Sequence, residues 1–208
     1  MRMIGKSDGP TAVTVIKRNS KLTLKQKLEK CKYKIKRAYV EHTIKDKNHS
    51  LDEVIDYIIN KHGFVEIDND EVRFERDELR ASFIMQYAPE LLGEYSTMPR
   101  LKSESKEDIQ THIREFQERQ QRAMEIPIEK FDIDFHKFQI SFEDINDNMY
   151  IIVEKRFAYI GGGVSGDKKV MRRFHHIFKD VHKYYGVTAE DIKNKTKRYE
   201  QVIRALIR

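Results

Sequence analysis

The chain has a single cysteine, Cys31, in 208 residues. An intrachain disulfide is therefore excluded, and the thiol count fits a reducing compartment. No apolar run approaches the roughly 20 residues needed to cross a bilayer; the longest, around Met149–Val153, is strand-sized. No apolar stretch follows Met1–Lys6, so no secretory leader is expected. These absences point to a soluble, cytoplasmic protein. Acids are scarce over residues 17–47, where Glu29, Glu41 and Asp46 stand against a dense series of lysines and arginines. Charged residues make up 36%, hydrophobic residues 39%, and the net charge is +6. A basic balance permits nucleic acid or an anionic membrane as partner.

Apolar periodicity sets the expected elements. Leu24, Leu28, Cys31, Ile35 and Ala38 recur at helical spacing over Leu24–Tyr39 and predict an inward stripe, with Cys31 as a small core residue. Ser50 and Glu53 form a capping box for a second helix, whose core face is Leu51, Val54, Ile55 and Ile58 and which Gly63 ends. Phe64–Ile67 and Val72–Phe74 flank a polar stretch and predict a small hairpin. Leu79, Phe83 and Tyr87 mark a helix that closes before Pro89. Residues 94–105 read as a linker, and Ser105 opens a helix to about Glu125 that Pro127 stops.

Phe131, Ile133, Phe135, Phe138, Ile140 and Phe142 alternate with polar residues, as strands do. Tyr150–Ile160 reads as one long strand. A glycine-rich connector leads to a helix with Val170, Phe174, Phe178 and Val181 inward, ended by Gly186. Thr188 caps a last helix that buries Ile192, Tyr199, Val202 and Leu206. The expected fold is α+β and mostly helical, with a small N-terminal hairpin and a C-terminal two-strand antiparallel sheet covered by helices. Its expected divisions are 1–93, 94–126 and 127–208.

The string Ile4-Gly5-Lys6-Ser7-Asp8-Gly9-Pro10-Thr11-Ala12-Val13 resembles the I-G-x-x-D-G-P-T-A segment of the β subunit of sodium ion-translocating decarboxylases. Those are biotin-dependent membrane pumps, and their motif aspartate is implicated in sodium binding and in coupling to carboxybiotin. The resemblance implies that role for Asp8, with Gly9, Pro10 and Thr11 around it. It covers about sixteen residues; the chain departs from the family after Ile16 and lacks its membrane spans. The expectation that follows is a soluble accessory or binding protein, without transport activity of its own, with a membrane decarboxylase complex as a candidate partner.

Three further patterns carry candidate chemistry. Lys25, Lys27, Lys30, Lys32, Lys34, Lys36 and Arg37 on the first helix suit nucleic-acid phosphates, an anionic membrane, or plain solvation. Tyr33 and Tyr39 among them are able to stack on bases. Gly161, Gly163 and Gly166 satisfy G-x-G-x-x-G, and Lys168, Lys169, Arg172 and Arg173 follow, so an anion site is a candidate there. The surroundings do not suit a dinucleotide, because no parallel strand follows and Asp180 lies inside a helix. His175, His176 and His182 lack metal-pair spacing. Ser165 has no nucleophile elbow around it. Asp132 and Asp134 read as a solvated strand face. No cofactor, metal or enzymatic activity is expected. The alternative to the accessory reading is a basic nucleic-acid-binding protein using helix 24–39 and the Lys168–Arg173 cluster.

Overall fold

The computed structural model describes residues 23–207, apart from 100, 102, 104, 141 and 143–146. The chain divides into two compact units. One comprises residues 23–67 and 135–207, the other residues 68–134. The divisions expected at 93 and 126 are not the ones the chain follows, because strands far apart in sequence pair within the first unit.

In that unit, α1 (Leu24–Thr43), β1 (Lys47–Asn48), α2 (Leu51–His62) and β2 (Val65–Ile67) come first. After residue 134 follow β3 (Phe135–Ile140), β4 (Asn148–Glu154), β5 (Tyr159–Ser165), α5 (Lys168–Tyr185), β6 (Gly186–Val187), α6 (Ala189–Asn194) and α7 (Lys197–Ile207). The sheet order is β2-β3-β4-β5, antiparallel throughout, and β1 pairs separately with β6. Register alternation puts Phe138, Ile140, Met149, Ile151, Val153 and Ile160 on one face. These residues share a core with Phe174, Phe178 and Val181 of α5 and Val54 and Ile58 of α2. The capping box of Ser50 and Glu53 and the left-handed Gly63 bound α2 as expected.

The α+β composition stands, but the sheets differ from expectation. A central four-strand sheet replaces the two-strand one, and the small N-terminal hairpin does not form. Val72–Phe74 is helical because the Asn69 side chain accepts the Val72 amide at 2.9 Å and opens a helix there. Its expected partner, β2, instead joins β3 with Glu66 opposite Phe138.

The long strand 150–160 is folded on itself. Buried Glu154 accepts the amides of Arg156 (3.1 Å) and Phe157 (2.7 Å), and Ala158 takes φ 54°. Residues 131–134 precede β3 and are not a strand, so Asp132 and Asp134 do not share a sheet face. The last helix breaks at Lys195, φ 48°, into α6 and α7.

Arg198 ties the end of α5 to the loop before α2. It donates to the carbonyls of Tyr185 (2.6 Å), Gly186 (3.0 Å) and His49 (3.0 Å), and its guanidinium lies 3.8 Å from the Tyr185 ring centroid. Gly186 has φ 65°, and a Cβ there would run into the Lys47 carbonyl. Gly186→Ala is expected to lower unfolding free energy in urea by about 2 kcal/mol, from left-handed strain plus loss of the β1–β6 approach.

The second unit pairs α3 (Asp70–Tyr87) with α4 (Lys106–Met124), joined through a 3-10 stretch at Pro89–Ser96. Its core is small: Ala81, Ile84, Leu92, Ala123 and Ile126. Two buried arginines hold its irregular ends. Arg80 donates to the carbonyls of Ile126 (2.7 Å), Met124 (3.1 Å) and Phe131 (3.3 Å). Arg119, 5% exposed, donates to those of Tyr95 (2.8 Å), Met85 (3.1 Å) and Ser96 (3.2 Å).

Candidate nucleic-acid interface

Helix α5 begins because the Asp167 carboxylate accepts the amides of Lys169 (2.7 Å) and Val170 (2.8 Å). It buries Val170, Phe174, Ile177, Phe178, Val181 and Tyr185 at three- and four-residue spacing. That spacing leaves the opposite side to water, and the sequence there is basic. Lys168, Lys169, Arg172, Arg173, His175, His176 and Lys183 are exposed, and Lys179 is half-buried. Lys168, Arg172, Lys179 and Lys183 fall in one row about 22 Å long at 1.5 Å per residue. Among the described residues, none of these four forms an ion pair. Arg173 lies over the Phe142 ring at 5.8 Å.

The acid of α5, Asp180, faces α2. Its Oδ2 accepts the Tyr57 hydroxyl (2.8 Å) and the Lys61 ammonium (2.8 Å), and it lies 3.1 Å from His62 Nε2. Lys61 also donates to the Tyr57 hydroxyl. Tyr184 stacks between Tyr57 (3.8 Å) and His49 (3.9 Å). Burial works against the Asp180 charge, but Lys61 and Tyr57 overcome it and hold the carboxyl below its usual range. Burial pushes the Tyr57 hydroxyl up. It also pushes the His62 imidazole down, although Asp180 favours the charged ring.

Both Asp180 and His62 make acid destabilising. In each case the unfolded chain takes up a proton at a higher pH than the folded one. Stability in urea is expected to decline as pH falls below about 6.5, where unfolded His62 protonates, and again near 4, where unfolded Asp180 does. Asp180→Asn should flatten the lower step by less than about 1 kcal/mol, since that carboxylate is partly solvated.

The glycine string lies differently from expectation. Gly161 and Gly163 are in β5, not in a connector, and the reason is aromatic. A Cβ on Gly161 would meet the Tyr159 ring, and one on Gly163 the Tyr150 ring. Only Gly166, φ 137°, is in the turn before α5. The Asp167 carboxylate occupies the amides of Lys169 and Val170 at the helix start, and Lys168, Lys169, Arg172 and Arg173 are exposed beyond it.

Helix α1 is present but reversed. The stripe expected to face inward is exposed, with Leu24 at 85%, Leu28 at 59% and Ile35 at 65%, and Cys31 is exposed with it. The other side docks, through Val40 and through Arg37, which donates to both Glu200 oxygens (2.6 and 3.1 Å) and to Glu41 (2.8 Å). Arg37 is thereby committed to carboxylates, which raise its pKa further. Lys25, Lys27, Lys30, Lys32, Lys34 and Lys36 are exposed, as are Tyr33 and Tyr39.

Asp8, Gly9, Pro10 and Thr11 lie outside the described residues. His175 and His176 are exposed; His182 is buried and its Nδ1–H donates to the Phe178 carbonyl at 2.9 Å. Among the described residues, no group of three metal-ligating side chains occurs, and no helix is long and apolar enough to cross a membrane.

Sequence reasoning stopped at Arg173 and missed Lys179 and Lys183. Continuing the count at three and four residues past Arg172 finds them. It also missed the division of charge. Residues 68–134 carry 17 carboxylates against 10 lysines and arginines, while the rest of the chain carries 30 basic residues against 17 acids. Compared with known proteins, the chain has no match among family models, curated proteins or solved structures.

Proposed function

We propose that the unit built on the four-strand sheet binds the phosphate backbone of nucleic acid through α5, without reading sequence. The observation that carries this reading is the row Lys168, Arg172, Lys179 and Lys183 on a rigid, capped helix whose one acid is turned aside to α2. Regularly spaced cations with no local counter-charge displace condensed counterions from a polyanion. Apart from the imidazoles of His175 and His176, the exposed side chains of α5 are lysines and arginines, so the expected contact is with phosphate rather than base edges. The acid-rich composition of residues 68–134 leaves the basic excess to the other unit.

Fluorescence anisotropy with a labelled duplex of mixed sequence tests the proposal. Dissociation constants of about 10⁻⁶ to 10⁻⁴ M, indifferent to sequence, are expected. No binding in dilute buffer would refute it.

A further inference from the structure

Helix α1 has a second arrangement that phosphate binding does not use. Its apolar residues Leu24, Leu28, Cys31 and Ile35 form a narrow stripe about 60° wide. Lysines line both margins of that stripe. Lys25, Lys32 and Lys36 lie along one edge and Lys27 and Lys34 along the other. The helix is held with this stripe outward, since Arg37 pairs with Glu200 and Val40 packs inward on the opposite side. None of the residues of α1 is buried.

We infer that α1 docks on an anionic lipid surface, with the apolar stripe in the headgroup boundary and the marginal lysines at the level of the lipid phosphates. The charge pattern selects this occupant. A helix lying in the interface buries one apolar strip and lets long basic side chains reach upward from both edges, which is the distribution found here. Each lysine near an anionic leaflet adds to the attraction. A second copy of α1 against the first would oppose lysine to lysine along both seams. A nucleic-acid backbone would leave the apolar centre against phosphate and water.

Cys31 supplies the test, being the one cysteine of the chain and lying in the stripe. The full chain is labelled there with an environment-sensitive fluorophore and mixed with vesicles of equal parts phosphatidylcholine and phosphatidylserine, or of phosphatidylcholine alone. A blue shift and co-sedimentation with the mixed vesicles only are expected. Leu28→Glu with Ile35→Glu should weaken partitioning by more than about tenfold, because burial of either side chain carries at least that factor. Both sites are exposed, so circular dichroism should be unchanged, and duplex binding through α5 should persist.

Three results would overturn the inference. They are no shift with mixed vesicles, equal binding by the Glu variant, or a wild-type dimer in gel filtration that the same substitutions dissociate. Absence of duplex binding by the full chain in dilute buffer would refute phosphate binding through α5 and leave the lipid result standing, so the two proposals fail separately.

Discussion

Arg172→Glu, Lys179→Glu and Lys183→Glu together are expected to weaken duplex binding by about two orders of magnitude or more. Each substitution removes one cation and places an anion where a phosphate would sit, so the row changes from attraction to repulsion along most of α5. Glutamate is a good helix former, and these positions face water or are half-buried, so the α5 core of Phe174, Phe178 and Val181 keeps its packing. Thermal unfolding of the triple variant should match the parent within about 2 °C, because surface substitutions of this kind shift stability little. A matched set at Lys30, Lys32 and Lys34 of α1 should cost duplex affinity much less, since those lysines point in divergent directions around the cylinder. If the α1 set mattered more than the α5 set, the assignment of the phosphate row to α5 would be wrong.

The largest stability effect is expected at Arg119. Its side chain is buried, burial lowers its pKa, and three backbone carbonyls accept its protons. Arg119→Met keeps much of the volume and removes the donors. The carbonyls of Met85, Tyr95 and Ser96 then lose a charged partner, at a cost of about 3 kcal/mol. Arg119→Lys should recover little, because one ammonium cannot reproduce the planar fork that serves Tyr95, Ser96 and Met85 together. The unit of residues 68–134 has a small apolar core, so a loss of this size is a large share of what holds it. Hydrogen exchange should report it as faster exchange confined to α3 and α4, with the strands β3–β5 protected as before. Uniform loss of protection across both units would mean that they unfold as one.

Local signals were legible and long-range ones were not. Capping chemistry marked α2 through Ser50 and Glu53, the start of α6 through Thr188, and the stops at Gly63 and Gly186; each depends only on neighbours a few residues away. The pairing of β2 with β3 has no such signal. Glu66 and Phe138 lie far apart in sequence, and the three residues of β2 resemble a hairpin arm until their partner is known. At Asn69 the cap decides against residue preference, since Val72–Phe74 is helical although Val72 and Phe74 favour strand.

Pattern also misled where its usual partner is absent. The stripe of α1 has core periodicity, yet it faces outward, because Arg37 and Val40 on the other side found the better partners in Glu200 and the core. The glycines of β5 read as a phosphate loop, but glycine also makes room for a ring lying across a strand, and Tyr150 and Tyr159 use it so. The buried arginines were invisible from composition, since Arg80 and Arg119 sit in helices dense with exposed charge. Of the interface itself, the beginning of the α5 row was legible in Lys168–Arg173. The orientation of Asp180, which leaves that row unopposed, required the position of α2.

The dependence of wild-type duplex affinity on salt is the most direct test. Four phosphate contacts along α5 predict that log K falls against log salt with a slope of about −3.6, a loss of roughly a hundredfold between 50 and 200 mM. A slope near zero, with affinity retained across that range, would contradict phosphate binding by this helix.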